Sequence, residues 1–140
     1  MDAMNKFNKL VGLIFGSLYE QFPRPVEMNQ KTFLEEIIDD LDEEGAFSFG
    51  EYFGSTVKWL EKAGYVWIEH DKSSFDGPEF DVVLSEKGLE ALRRVPASLE
   101  GSASIGERLV NFSKTKASEA LGTLISLAIT TAVQGGIGAY

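Results

Sequence analysis

A chain of 140 residues that is 44% hydrophobic can bury a core unaided, so one domain, or one domain with an appendage, is expected. Cysteine is absent, which excludes a disulfide framework and fits a reducing compartment. Net charge is −9 and unevenly spread: residues 1–96 carry ten basic and nineteen acidic side chains, residues 97–140 three of each, so the front of the chain is set against polyanionic partners such as a DNA duplex.

The chain opens acidic, with no small-residue cleavage pattern after an apolar stretch, so a structural helix is expected in place of a signal peptide, and a cytoplasmic location is the default. Phe7, Leu10, Val11, Ile14 and Leu18 recur at helical spacing and predict a first helix over about residues 3–20. Pro23 and Pro25 end it. Residues 25–28 suit a short extended segment, because proline fixes φ and biases the residue before it toward the β region. Asn29 is placed to cap a second helix with a buried stripe of Phe33, Leu34, Ile37, Ile38 and Leu41, which stops near Gly45.

The stretch from Ser48 to Leu84 reads as one helix running into a two-stranded hairpin. Ser48 and Glu51 match a capping box, Phe49, Phe53, Val57 and Leu60 share one face, and Gly64 supplies a left-handed stop. Tyr65 to His70 and Phe80 to Leu84 are rich in β-branched and aromatic residues, and the turn-forming run Asp71 to Gly77 lies between them. Ser85 then caps a further helix that ends before Pro96.

The order helix, short strand, helix, helix, strand, turn, strand, together with the stretches TFLEEIIDDL, KWLEKAGYV and VVLSEKGLEAL, resembles the winged-helix superfamily over about residues 4–94. The fold expected is mainly α (α+β): a winged-helix domain with a small antiparallel hairpin in residues 1–96, a linker in 97–103, and a C-terminal helical segment in 104–140. The resemblance implies that the third helix and the hairpin loop form the contact surface. In that family the helix usually enters the DNA major groove.

In the last segment Ser104 and Glu107 offer a second capping box, with Ile105, Leu109 and Phe112 on one face. No charge follows Glu119, which by length alone suits a membrane span. The residues divide into two faces instead: Leu121, Leu124, Ile125, Ala128, Ile129 and Ala132 against Thr123, Ser126, Thr130 and Gln134. A helix with one buried face, packed on the domain or on a second copy, is therefore expected. Self-association through that stripe is the preferred expectation, because the front domain is small and winged-helix proteins often dimerise through terminal helices.

Outward positions on the third helix are Glu51, Tyr52, Ser55, Lys58, Trp59 and Lys62, and the loop adds Lys72. No arginine is available for bidentate guanine contacts, and Glu51 shares the face. Solvated lysines account for much of this pattern. Tyr52 and Trp59, seven residues apart, suit the anchoring of a protein partner. The expected function is thus a non-catalytic interaction module that binds protein and itself, with a DNA-binding regulator as the alternative.

Seven carboxylates lie between Glu35 and Glu44, usually no more than a solvated face. Asp40, Asp42, Glu44 and Glu51 follow an EF-hand register, but glutamate stands at the fifth position and the entering helix presents Glu36 and Asp39 where apolar residues belong, so calcium is not expected. His70 stands alone, no nucleophilic cysteine or zinc-binding pair exists, and no phosphate-binding glycine loop follows a strand, so neither catalysis nor a cofactor is expected.

Overall fold

The computed structural model describes residues 3–97, 99, 101–115 and 121–138, with side chains described through Phe112 and again from Leu121 to Ile129. The elements in order are α1 (Ala3–Gln21), β1 (Val26–Asn29), α2 (Gln30–Ile37), a 3-10 turn (Ile38–Asp40), α3 (Glu43–Phe47), α4 (Phe49–Lys62), β2 (Val66–Asp71), β3 (Glu79–Leu84), α5 (Glu86–Arg93), α6 (Ile105–Thr115) and α7 (Leu121–Gly138). The result is a mixed α+β fold with a small antiparallel sheet of order β1-β3-β2.

Local chemistry sets most boundaries. Asn29 caps α2: its side chain accepts from Lys31 N at 2.8 Å, and its own N–H donates to Thr32 Oγ1 at 3.0 Å. α4 stops in a Schellman motif at Gly64 (φ +90°), where Gly64 N donates to Glu61 O and Tyr65 N to Leu60 O, both at 2.9 Å. Ser85 caps α5 by accepting from Gly88 N at 3.0 Å while donating to Gly64 O at 2.5 Å, so one buried hydroxyl joins the end of α4 to the start of α5.

β3 is the central strand. It pairs Val82 with Val26 and with Ile68, and Phe80 with Met28. Alternation sends Phe80, Val82 and Leu84 inward with Met28 and Val66, all at most 1% exposed, while Asp81 faces out. A bulge between Ile68 and His70 shifts the register as β2 approaches the turn.

Two sequence expectations fail locally. The second helix ends at Ile37, not near Gly45, because Asp42 leaves helical geometry to accept from Gly45 N at 2.7 Å and starts the short α3. Ile38, expected in the core, is consequently exposed in the 3-10 turn. Ser48 makes no side-chain cap for α4. α3 runs almost directly into α4, and the Ser48 hydroxyl donates back to Glu44 O at 2.9 Å.

The larger correction concerns the two C-terminal helices, α6 and α7. α6 and α7 are not an appendage: Ile105, Leu109, Phe112, Leu121, Leu124, Ile125 and Ala128 belong to the same core as Leu10, Ile14 and Phe53. α1 runs through its middle, with Leu10, Val11, Leu13, Ile14, Phe15 and Leu18 at 0–4% exposure. Two glycines permit this packing. A Cβ on Gly12 would lie 2.7 Å from Leu121 Cδ1, and one on Gly106 would lie 2.5–2.6 Å from the Tyr19 ring. Hydrogen bonds also tie the two helices in, since Ile105 N donates to Arg94 O at 2.8 Å and Tyr65 Oη donates to Ile129 O at 3.0 Å.

The stripe expected to need a second copy is therefore covered within the chain, by α1, α5 and α6. Leu121, Leu124, Ile125 and Ala128 are at most 6% exposed and Ile129 packs against the core, while the side chain of Ala132 lies outside those described. The premise that the front of the chain had no surface to spare does not hold, and with it goes the reason to expect self-association there. Among the described residues, no helix is long and apolar enough to cross a membrane.

Candidate functional site

The residues singled out on α4 and the hairpin separate into three environments. Ser55, Lys58, Trp59 and Lys62 line an open groove of about 560 Å³ between the outward face of α4 and the stem of the hairpin, where Asp71, Ser73, Pro78 and Phe80 form the other side. Tyr52 sits toward α1, half-buried, and Lys72 lies on the outer face of the sheet.

α4 comes this close to the hairpin because Gly54 faces it. A Cβ there would approach Pro78 Cγ to 2.8 Å, so only glycine lets the proline seat against the helix. A glycine inside a helix costs about 1 kcal/mol relative to alanine. That unfavourable choice was the available sequence signal for a close approach, and sequence reasoning missed it, along with Pro78 and Phe80.

The electrostatics are those of mutual neutralisation. Lys58 Nζ lies 3.0 Å from Asp71 Oδ2 and 5.5 Å from the centre of the Phe80 ring, bridging the groove between helix and hairpin. Hydrogen bonds from Ser73, with the bond from Lys58, hold the Asp71 carboxyl down at about 2. Lys72 is clamped by Glu27 at 2.5 Å, Asp81 at 3.0 Å and Glu79 at 3.9 Å. Its hydrogen bonds to Glu27 and Asp81 hold it protonated well above the usual lysine range, and Lys72 in turn lowers Asp81. His70 Nδ1 lies 3.1 Å from Asp81 Oδ2, at the edge of the same cluster.

The two aromatic anchors are unequal. Trp59 stands edge-on to Phe7 at 5.4 Å yet keeps 44% of its surface exposed on the groove wall. Tyr52 is stacked on Phe49 and covered by Lys6, whose Nζ is 4.1 Å from the ring centre; burial raises its hydroxyl pKa. α1 has therefore already taken the face that would make Tyr52 a partner contact.

The acidic loop disperses. Asp40 pairs with Lys9, Asp42 caps α3, Glu44 is exposed on α3 and Glu51 lies on the groove rim. Among the described residues, no three carboxylate or imidazole groups converge as a metal site. No family model matches the chain, and no match is found among curated proteins or among solved structures.

Proposed function

We propose that the chain is a non-catalytic protein-interaction module of the winged-helix type, with the groove between α4 and the β2–β3 hairpin as its docking face. The element order and the β1-β3-β2 sheet support the architectural part of this reading. The observation that carries the functional part is the state of the lysines. Lys58 and Lys72 are each held by carboxylates of the same chain, so a duplex would have to break existing ion pairs to use them. Nucleic acid affinity rests on basic groups free to displace condensed counterions, and few are on offer here. Trp59 is instead a half-exposed aromatic on an apolar groove wall, the side-chain type that dominates protein interfaces.

The test pairs two measurements on the full chain. Anisotropy of a labelled random-sequence duplex at low salt should show no binding beyond weak, salt-labile association. Capture of partners from nuclease-treated native lysate should survive nuclease and be lost in Trp59→Ala. Tight duplex binding that weakens steeply with salt, and falls when Lys58, Lys62 and Lys72 are neutralised, would overturn the proposal in favour of a DNA-binding regulator.

A further inference from the structure

Glu51 and Lys62 stand near opposite ends of α4 on the rim of this groove, eleven residues and so about 16 Å apart along the helix axis. Both are exposed, and neither is in an ion pair with a described residue. The charges between them are already matched, since Lys58 and Asp71 neutralise each other. The groove thus presents an unmatched negative end, a neutral centre walled by Trp59 and Pro78, and an unmatched positive end.

A strand of nucleic acid carries one sign along its length, and it could reach Lys62 only by bringing phosphate toward Glu51. The same objection applies to an anionic membrane surface. An extended polypeptide advances about 3.3 Å per residue and its side chains alternate between faces, so two side chains on one face that meet groups about 16 Å apart are best separated by four residues, about 13 Å, with the long charged side chains spanning the rest.

Building on the proposed docking role, we infer that the groove takes a linear peptide segment of mixed charge: a basic residue at Glu51, an acidic residue at Lys62 four positions away, and an apolar side chain midway between them, on the same face, against Trp59. The direction in which the segment runs follows from the order of its two charges.

Three labelled synthetic peptides test this on the full chain by anisotropy. One has Lys and Asp four positions apart with Phe midway between them, one has Lys at both positions, and one has Asp at both. The mixed peptide should bind about tenfold more tightly than either other, because each control exchanges one exposed ion pair worth about threefold for a like-charge repulsion of similar size. Glu51→Lys should move the preference to the double-Asp peptide and Lys62→Glu to the double-Lys peptide, while Trp59→Ala weakens all three. Glu51→Gln and Lys62→Gln serve if a reversal disturbs folding, and each should abolish discrimination at its own end. Equal binding of all three peptides, a preference that does not follow the substitutions, or no binding by the mixed peptide would overturn the polarity inference and leave the docking reading to its own test. Competition of the bound peptide by random duplex, steeply dependent on salt, would overturn both.

Discussion

Leu109→Ala puts the joining of the C-terminal helices to the rest of the chain to a quantitative test. Leu109 is 0% exposed on α6, and its Cδ2 would lie 3.7 Å from a Cβ built on Gly12, with Ile125 Cδ1 at 3.8 Å and Leu121 Cδ1 at 2.7 Å from the same point. Three helices meet there around a glycine, so the α1 residue that faces the space left by truncation has no side chain to fill it. Leu→Ala at a fully buried site costs about 2–5 kcal/mol, and poor collapse argues for at least about 3. Against a total stability of about 5–15 kcal/mol this is a large fraction. For a domain of this size it lowers the thermal midpoint by about 9 °C, at about 3 °C per kcal/mol. The assay compares far-UV dichroism with tryptophan fluorescence, because Trp59 and Trp67 lie in α4 and β2, elements distant in sequence from the substitution. Both probes should report one transition, shifted together. An early partial loss of helix signal with the tryptophan midpoint unmoved would show that α6 and α7 unfold as a separate unit, and the single-core argument would fail.

Deleting residues 104–140 should expose Leu10, Val11, Leu13 and Phe15 on α1 and give an aggregating or molten chain; a folded monomer with a sharp melting transition would contradict this. Ser85→Ala removes both a cap and a buried bond to Gly64 O, and it should cost about 1–2 kcal/mol in urea unfolding, the upper part of the range for caps. For pH, Asp71 and Asp81 are depressed in the folded state, so their contribution is present above the ordinary carboxylate range near 4 and is lost as pH falls toward 2. The raised Lys72 contributes below the ordinary lysine value near 10.4, and that contribution is lost as pH rises through its folded-state value. Lys72→Met should therefore flatten the acid limb of a stability-versus-pH curve between about pH 4 and 2 relative to the parent chain; parallel acid limbs would show that the clamp does not operate. Gly12→Val should be as damaging as Leu109→Ala through overpacking against Leu121, and equal midpoints for Gly12→Val and the parent would show that the helices do not close on that glycine.

What the sequence determined by itself is local. The caps at Asn29 and Ser85, the Ser104–Glu107 box and the Gly64 stop each join groups at most five residues apart, so composition and spacing suffice to find them. The inward residues of α4 and of the hairpin follow in the same way, from periods of 3.6 and 2. Ser48 shows where even local reasoning divides: its hydroxyl could cap α4 or bond back to Glu44 O, and the presence of α3 decided for the second. Docking decided the rest. The run LVGLIFGSL in α1 is apolar on nearly every side, the mark of a helix covered all round, yet nothing local says that its second face belongs to α6 and α7, about a hundred residues later. Likewise Lys58 and Lys72 were visible as cations, but whether a cation is free or spent depends on Asp71, 13 residues away, and Glu27, 45 residues away. A helical or strand period tells which way a side chain points relative to its own element. What it meets there is set by the arrangement of the elements in space, and that arrangement turned an expected oligomer face into core and paired the candidate contact lysines Lys58 and Lys72 with carboxylates of the same chain.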